Sequence, residues 1–583
     1  MSKPSSRPPR PKGPNLFGLL KPYKGQIALL IVLTITANGL NLVVPKIISS
    51  AIDAYTNGTF VLNTMLIEFV SVAIGIFAFT YIQSIVQTYA SERVARDLRT
   101  KLAASISQQE YAYIQRATPG KLLTNLTSDI DAVKLFVSQA IVSIISSIFL
   151  IIGASVLLIL IDWKLALCIL AMVPLIAMTF FVVLRKVRKL FHKAQEAIDW
   201  LNKVINESIL GAALIRLLNS QQAESEKFIA ANAQARDIGL SIVRLFASMI
   251  PIISFIMNLS MLIILTLGGH FVITGRMSLG DFTAFNNYLF ILIFPIMVIG
   301  FMSNVIAQAS ASYARVESVL NAPVPKRIGK RKAEPHGGIA LHDVSVVYGE
   351  KSVLKHVSFT ATPGTRTAII GPTAAGKTQL LYLLTGLLAP ASGTITYNEL
   401  PLTEYDPVSI HQQIGFVFQD SAMFNLTLRE NIAFSNTVSD ADLEKAITTA
   451  ELRDFIDALP EKLDTIASER GTSLSGGQKQ RIMLARALAL NPSVLLLDDF
   501  TARVDAPTER KILSNVHDTY PGMTIISVTQ KIASVEHYDQ IILLMEGELL
   551  AKGTHAELLA SSPEYVQIYE SQQSTNAYDL SAE

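Results

Sequence analysis

Long apolar runs separated by charged connections constrain this chain more than any other feature. A helix needs about 20 apolar residues to cross the hydrocarbon core of a bilayer. Half of the residues are hydrophobic and only 16% are charged. The chain is therefore predicted to carry six transmembrane helices, none with a charge near its centre. The predicted spans are residues 26–50, 63–88, 137–161, 163–184, 246–272 and 283–307.

The positions of basic residues predict the orientation of these helices, because cytoplasmic loops carry an excess of Lys and Arg. The N-terminal tail, residues 1–24, and the stretches 93–101 and 185–193 are rich in basic residues. The short loops of the opposite side are nearly uncharged. We therefore expect both termini to be cytoplasmic. Because no organellar targeting signal is evident, we expect the bacterial plasma membrane, that is, the inner or cytoplasmic membrane.

The polarity of the chain changes after the sixth apolar run and divides the chain into domains. A transmembrane domain with long cytoplasmic connections is predicted over residues 25–320. Residues 321–338 are rich in Pro, Gly and basic residues and are predicted to be a linker. Short apolar strands alternate with helical patterns over residues 339–572, which predicts an α/β domain, and residues 573–583 are predicted to be a C-terminal tail. The formal net charge of +2 implies no nucleic-acid partner.

A phosphate-binding loop lies in the α/β domain, between a predicted strand and an apolar helix. The segment GPTAAGKT fits the pattern G-x-x-x-x-G-K-[ST]. Backbone N–H groups and the helix N-terminus form an anion-binding nest there. Lys377 would reach the β- and γ-phosphates of ATP, and the Thr378 hydroxyl would ligate Mg²⁺. The residues predicted to bind nucleotide in this segment are Gly371, Pro372, Thr373, Ala374, Ala375, Gly376, Lys377, Thr378 and Gln379.

Two segments later in the chain are also predicted to bind the nucleotide or its Mg²⁺ ion. The apolar run that ends in Asp498 and Asp499 reads as a buried strand, and carboxylates at such a strand end usually handle a ligand. Asp498 is predicted to hold Mg²⁺. Upstream, the LSGGQ motif opens a helix whose N-terminus can also receive phosphate. A second N-terminus of this kind makes sense if it caps a nucleotide held by another copy. The nucleotide-binding residues predicted there are Ser475, Gly476, Gly477 and Gln478.

The sequence resembles a half-transporter of the ATP-binding cassette (ABC) exporter type over nearly the whole chain. The motifs and the six-span half agree with that family in order and spacing. The segment LSGGQKQR, which begins at Leu474, is the most specific of them. The resemblance implies two nucleotide-binding domains packed head to tail. Each ATP would lie between one phosphate-binding loop and the opposite LSGGQ motif.

The resemblance also implies roles for other matching positions. Tyr348 is similar to the aromatic residue that stacks on adenine, and Gln419 to the glutamine that senses Mg²⁺ and the membrane coupling helices. Asp505 is counted among the nucleotide-binding residues, and residues 468–471 resemble a segment that touches the coupling helices. The coupling helices themselves are expected near residues 111–125 and 205–220.

Two positions depart from the family pattern within one catalytic unit. The residue after the Mg²⁺ aspartate is usually Glu, which polarises or orients the attacking water, and here it is Asp499. Its carboxylate falls short by about 1 Å, and a misplacement of that size can lower a rate by roughly 10²-fold. Where the family places a His against the γ-phosphate, this chain has Gln530, which can donate a hydrogen bond but cannot carry positive charge. Asp499 and Gln530 are thus the predicted catalytic residues of a slow site.

The selective loss predicts a second, different chain. The phosphate-binding loop and the LSGGQ motif are intact, while the catalytic pair is weakened. We therefore expect this chain to bind ATP and Mg²⁺ but to hydrolyse ATP poorly. Its LSGGQ motif would serve a partner that has Glu and His at the catalytic positions. The pattern resembles the degenerate-site subunit of heterodimeric multidrug-type ABC exporters.

Alternative functions remain open at the level of the sequence. Asp can support some general-base chemistry, so a homodimeric exporter with two slow sites is one alternative. An ATP-gated membrane regulator that transports nothing is another. The uncharged spans indicate a lipophilic or amphipathic substrate and leave drug, lipid and peptide open.

Overall fold

The structure is a computed structural model that separates into two compact units. The membrane unit consists of Met1–Ser107 and Ala117–Pro323, and the nucleotide unit of Gln108–Arg116 and Val324–Glu583. The described residues are 16, 18–323, 329–332, 337–348, 351–420, 422–435, 437–468, 471 and 474–582.

Several predicted segments fall partly outside the described residues, and three of them do so by half of their length or more. These three are most of the basic tail 1–24, about half of the linker 321–338, and the middle of the segment 468–471. Within the predicted tail, Gly18–Tyr23 forms a short 3₁₀-helix that leads into the first long helix.

The described part of the membrane unit is helical, as its long apolar runs predict. The helices of the first 320 residues are α1 (Lys24–Thr56), α2 (Leu62–Ser107), α3 (Tyr111–Ala117), α4 (Pro119–Thr124), α5 (Ile130–Leu135), α6 (Ile141–Ile161), α7 (Trp163–Leu170), α8 (Met172–Leu210), α9 (Ala212–Leu217), α10 (Gln221–Ile263), α11 (Gly269–Ile273) and α12 (Leu279–Leu320). Three π-helical turns join neighbouring helices without a break: Asn125–Asp129, Phe136–Ala140 and Ile264–Gly268.

Six helical stretches among the described residues are long and apolar enough to cross a membrane, which confirms the predicted six-span half. Each continues beyond the apolar run that predicted it; α2, for example, extends to Ser107. The six stretches are Gly18–Thr56, Leu62–Ser107, Pro119–Ile161, Trp163–Leu210, Gln221–Ile273 and Leu279–Leu320.

One ion pair fixes which ends of the membrane helices lie together. Asp162 caps α7 by accepting hydrogen bonds from the backbone N–H groups of Lys164 and Leu165, both at 2.9 Å. The other oxygen of Asp162 accepts from the Arg276 guanidinium at 2.7 Å, just before α12. Because Asp162 is buried, removing Arg276 would leave a charge without its partner in an apolar environment, which is strongly destabilising. The beginnings of α7 and α12 therefore lie side by side.

The nucleotide unit contains two β-sheets. Its strands are β1 (Ile339–Tyr348), β2 (Lys351–Ala361), β3 (Arg366–Ile370), β4 (Ser392–Tyr397), β5 (Leu400–Pro401), β6 (Ile414–Val417), β7 (Val494–Asp498), β8 (Thr524–Val528), β9 (Gln540–Met545) and β10 (Glu548–Gly553). One sheet is antiparallel, in the order β2-β1-β4-β5. The other has the order β10-β9-β3-β8-β7-β6, and all its pairs are parallel except β10 with β9.

Helices and apolar residues cover the sheets and complete the predicted α/β domain. The interior strand β7 is buried at every position, as expected for a parallel strand covered on both faces. The helices are α13 (Lys377–Leu384), α14 (Pro407–Gln412), α15 (Leu428–Ala433), α16 (Asp440–Thr449), α17 (Arg453–Asp457), α18 (Gly476–Leu488), α19 (Ala506–Thr519), α20 (His555–Ser561) and α21 (Pro563–Ala582). Helix α21 thus runs through the stretch predicted as a C-terminal tail.

Candidate nucleotide-binding site

The strand order brings three predicted segments to one edge of the parallel sheet. Strand β8 lies between β3 and β7, so the carboxyl ends of all three are neighbours. In the pairing register, Val528 lies opposite Ile369 on one side and Asp498 on the other. The segments that follow the three strands are the phosphate-binding loop, Asp499 and Gln530, respectively after β3, β7 and β8. Crevices beyond the carboxyl ends of parallel strands are where α/β proteins bind ligands.

Close backbone packing shapes the phosphate-binding loop. Gly371 has a φ of 153°, and a Cβ there would lie 2.0 Å from the carbonyl oxygen of Leu544. Gly376 has a φ of 98°, and its Cβ would lie 2.7 Å from the Leu354 side chain. Both positions therefore require glycine. Ala374 has a φ of 66°, in the left-handed region, which costs a residue with a Cβ about 1–2 kcal/mol.

The Lys377 side chain is folded back onto its own loop. Its Nζ donates to the carbonyl oxygens of Gly371 at 2.7 Å and Pro372 at 2.8 Å. Burial lowers the pKa of the Lys377 ammonium, and the nearby carboxylates of Asp499 and Asp498 oppose this effect. A phosphate at the loop would offer the ammonium a charged acceptor in place of two neutral carbonyls.

Asp498 and Thr378 form a pair that fits a divalent cation. The Thr378 hydroxyl donates to Asp498 Oδ1 at 3.2 Å, while the buried Oδ2 has no hydrogen-bond partner among the described residues. Burial raises the pKa of Asp498 to about 6, although the hydrogen bond from Thr378 lowers it. Carboxylate and hydroxyl oxygens are the ligands that Mg²⁺ prefers, and a cation would stabilise the charged carboxylate. The donor set therefore fits Mg²⁺.

The two residues that depart from the family pattern lie beside this pair. Asp499 adopts a left-handed conformation with φ 51°, and its backbone N–H donates to the carbonyl oxygen of Val528 at 2.9 Å. Gln530 Nε2 lies 3.5 Å from the hydroxyl oxygen of Thr373, across the phosphate-binding loop. The structure thus brings both predicted catalytic residues to the loop.

A residue that sequence reasoning missed supports the segment that carries Gln530. Gln572, on α21, donates from Nε2 to the carbonyl oxygen of Gln530 at 2.7 Å. Its Oε1 accepts from the backbone N–H of Ile532 at 2.9 Å. No local pattern signals this contact, because it joins residues about forty positions apart and lies next to a stretch predicted as a tail.

The LSGGQ motif forms the N-terminus of α18, and two of its side chains bond to backbone groups of the motif itself. Ser475 Oγ accepts from the backbone N–H of Gln478 at 3.2 Å, and Gln478 Oε1 accepts from the backbone N–H of Ser475 at 2.8 Å. This capping box satisfies two of the N–H groups that begin a helix. Ser475 and Gly476 are exposed. A Cβ on Gly477 would lie 3.0 Å from the carbonyl oxygen of Arg503, so small residues let this helix begin close to that backbone.

The remaining predicted site residues lie around the edges of the same region. Tyr348 ends β1 half exposed, and burial raises its pKa, with Tyr111 adding to the rise. Gln419 follows β6 with an exposed side chain, and its carbonyl oxygen accepts from Gln480 at 3.4 Å. Asp505 caps α19 by accepting from the backbone N–H of Thr508 at 3.0 Å. Among the described residues no hydrogen bond joins the Gln419 side chain to Asp498 or Thr378, so its predicted role as a metal ligand stays a prediction.

An aromatic cluster connects the segment Gln108–Arg116 to the helix of the phosphate-binding loop. Both belong to the nucleotide unit. The Tyr111 ring lies edge-on to Tyr382 of α13, with centroids 5.3 Å apart. Tyr382 in turn contacts Phe416 at 5.9 Å and Phe418 at 6.3 Å. Tyr382 sits one helical turn from Thr378, so this cluster packs on the same helix that presents the predicted metal ligand.

Comparison with known proteins agrees with this geometry. Residues 27–296 match the family described as ABC transporter transmembrane region, and residues 354–502 match the family described as ABC transporter. A solved structure of a bacterial Atm1-family ABC exporter with ATP bound has the same fold: its TM-score is 0.78, with 94% of this chain and 98% of that chain covered at 22% identity.

Two proteins of Bacillus subtilis (strain 168) are similar along nearly their whole length. The chain is 32% identical to the uncharacterized ABC transporter ATP-binding protein YfiB, covering 95% of this chain and 98% of that protein. It is 31% identical to the probable multidrug resistance ABC transporter ATP-binding/permease protein YheI, covering 95% and 96% respectively. The chain therefore belongs to the ABC transporter family, as an exporter-type half-transporter whose six-helix transmembrane domain is fused to an ABC ATPase domain.

Proposed function

We propose that this chain is the slow-site half of a two-chain exporter that moves a lipophilic or amphipathic substrate across the bacterial plasma membrane. Both termini lie in the cytoplasm. The chain binds ATP and Mg²⁺ at its own loop and lends its LSGGQ motif to a partner chain with Glu and His at the catalytic positions. The name of YheI, a probable multidrug resistance transporter, supports an export function of this kind.

One observation carries the proposal: an intact binding loop lies beside a weakened catalytic pair. Lys377, Thr378 and Asp498 provide a cation, a hydroxyl and a carboxylate around the loop. Hydrolysis requires a water oxygen to attack the γ-phosphorus while the bond to the bridging oxygen of ADP breaks, and a base must accept a proton from the water. Asp499 is the carboxylate in place for that role, and its side chain is one methylene shorter than Glu.

The polar group opposite the loop is also weak for this reaction. Gln530 reaches towards Thr373 and can donate a hydrogen bond to a γ-phosphate. It cannot become cationic, so it stabilises the charge that develops at transfer less than a His would. Mg²⁺ held by Asp498 and Thr378 would neutralise phosphate charge in this site as it does in related nucleotide sites.

The LSGGQ motif supports a role in a site formed with another chain. Its helix N-terminus is exposed, and the side-chain hydrogen bonds that Ser475 and Gln478 form with described residues lie within the motif. Backbone N–H groups at such a terminus attract phosphate. A second chain would place its own ATP there.

Vanadate trapping with labelled ATP tests the proposal on the chain co-purified with its partner from membranes. ADP is expected at the partner's loop and ATP at Lys377. Equal ADP at both loops would contradict the slow site. Full ATPase and export by the chain alone would establish the homodimer, and ATP hydrolysis without uptake into inverted proteoliposomes would establish a regulator.

A further inference from the structure

A cavity in the membrane unit has one apolar end and one cationic end. Its volume is about 650 Å³, within the ~300–1,000 Å³ typical of ligand sites. Helix α8 lines it with Phe181, Leu184, Arg185 and Arg188. These positions follow the i, i+3, i+4, i+7 spacing of one helix face. This face of α8 is therefore apolar at Phe181 and Leu184 and basic at Arg185 and Arg188.

A second helix lines the cavity with the same spacing. Ile296, Ile299, Gly300 and Ser303 of α12 face it. The beginnings of α7 and α12 are joined by the ion pair between Asp162 and Arg276, so α8 and α12 run in the same direction from one end. The later positions of each helix thus share an end of the cavity. Ser303 lies at the end that carries the two arginines.

The two arginines have no acidic partner within the described part of the chain. The ion pairs of the described residues include neither Arg185 nor Arg188. Guanidinium groups bind phosphate and carboxylate through paired N–H donors. Lys186 and Lys189 have the same charge on the same helix, but they do not line the cavity.

We propose that this cavity binds an amphiphile whose head group is anionic. Its hydrocarbon body lies against Phe181, Leu184 and Ile296, and its phosphate or carboxylate is held by Arg185 and Arg188. Apolar burial provides most of the binding, and the head group provides selectivity. This rests on the proposed export function and gives the substrate its chemical class.

Three probes with the same dodecyl tail test the head group: dodecyl phosphate, dodecanol and dodecyltrimethylammonium. Equilibrium binding of each radiolabelled probe to the purified chain in nanodiscs is measured without ATP. Dodecyl phosphate should bind roughly tenfold or more tightly than dodecyltrimethylammonium. The variant R185Q/R188Q should remove this preference and leave dodecanol binding unchanged.

Matched variants make the result specific. K186Q/K189Q removes the same charge from the same helix and should keep the preference for phosphate, while R185K/R188K should keep part of it. Inorganic phosphate should compete poorly, because it lacks the tail. Equal losses in R185Q/R188Q and K186Q/K189Q, or no preference in the unmodified chain, would overturn the proposal. Basal ATPase and export of the chain co-purified with its partner are measured in parallel in inverted proteoliposomes, so loss of the proposed function is seen separately from loss of binding.

A different observation supports a positioning residue for the slow site. The Gln572 amide bonds both to the carbonyl oxygen of Gln530 and to the N–H of Ile532, as an adjacent strand would. Its helix is anchored, because Tyr565 is fully buried in one apolar cluster with Ile532 and Val535. The segment that aims Gln530 at the loop is therefore held from the C-terminal helix.

We infer that Gln572 positions the Gln530 backbone for nucleotide turnover. The neighbouring Gln573 provides a matched control, since among the described residues its amide bonds to Tyr569 of its own helix, at 2.8 Å. In Q572A, the Ile532 amide should exchange with deuterium roughly tenfold faster. Single-turnover hydrolysis at this site should slow by about tenfold, while ATP affinity stays the same. Q573A should change neither the exchange rate of the Ile532 amide nor the rate of single-turnover hydrolysis.

The two readouts separate positioning from general stability. Unchanged exchange at Ile532 in Q572A, or the same change in Q573A, would overturn the inference. So would an equal loss of ATP affinity, since the contacts of Lys377 and Thr378 do not involve α21. The exchange measurement needs no hydrolysis and therefore stands apart from the proposed slow site.

Discussion

The two phosphate-facing regions of the nucleotide unit differ in how far their polar groups are already engaged. At the phosphate-binding loop, Lys377 bonds to loop carbonyls and Thr378 bonds to Asp498. At the LSGGQ motif, the side-chain hydrogen bonds of Ser475 and Gln478 within the described part of the chain join these two residues to each other, and the helix N-terminus is exposed. A phosphate at the first region would replace internal contacts of Lys377, whereas a phosphate at the second region would meet an exposed helix N-terminus whose side-chain cap can stay in place. This contrast is what a chain needs if it holds one nucleotide and caps another.

The largest effect is expected at the LSGGQ motif. S475R places a long side chain at the open helix end and removes a cap worth about 0.5–2 kcal/mol to the helix. ATPase of the assembled transporter should fall to background. The control is S561R, which makes the same change at the exposed end of α20. Substantial ATPase in S475R would show that turnover does not require the exposed helix N-terminus of the LSGGQ motif.

A smaller effect is expected when the loop loses its cation. K377A removes charge-assisted hydrogen bonds worth about 1.5–3 kcal/mol, so ATP affinity of this loop should fall roughly 10- to 100-fold. In the proposed two-chain exporter most of the ATPase should remain, because the partner's loop would be intact. Site-resolved nucleotide labelling measures both quantities. K552A, at an exposed lysine of β10, should change neither, and complete loss of ATPase in K377A would count against a slow site.

Restoring Glu and His at the catalytic positions should speed ATP hydrolysis at this loop. D499E recovers the missing methylene, and Q530H recovers a chargeable donor. The double variant should hydrolyse ATP at this loop about tenfold faster in single turnover, less than the ~10²-fold that full realignment would give. The left-handed backbone at Asp499 limits the gain, since Asp tolerates that conformation better than Glu. ADP trapped at Lys377 only in the double variant is the expected result, and no increase would show that geometry is not the limitation.

The smallest effect concerns the loop backbone. A374G relieves the left-handed conformation, offset in part by the greater freedom of glycine in the unfolded chain, and should stabilise the protein by about 0.5–1 kcal/mol. Thermal unfolding of the full chain, with and without ATP, measures this. A389G, at an exposed alanine whose φ is not positive, should be neutral or destabilising. A lower unfolding temperature in A374G would show that the strain is not relieved.

Sequence reasoning predicted the parts of this molecule that depend on local pattern. Six apolar runs gave six membrane-crossing helices, and the strand–loop–helix context placed the Gly371–Thr378 segment correctly. The neighbouring positions of Asp499 and Gln530 were implied by the resemblance to ABC exporters, which places both in one catalytic unit. The φ of Ala374 and the reach of Gln572 could not be predicted, because both depend on how distant backbone segments pack. In the sequence, Arg185 and Arg188 belong to a basic stretch that indicates the orientation of the membrane helices. The structure adds that both residues line the cavity from one face of α8.

The segment Gln108–Arg116 has a consequence for building chimeras. Its Tyr111 packs against Tyr382, and the segment belongs to the nucleotide unit. Along the chain, however, about two hundred residues of the membrane unit separate it from the rest of the nucleotide unit. A graft cut only near residue 324 would transplant a nucleotide domain without a piece of its own surface. The nucleotide unit therefore consists of two separate segments of the chain, and a functional chimera between relatives must exchange both segments.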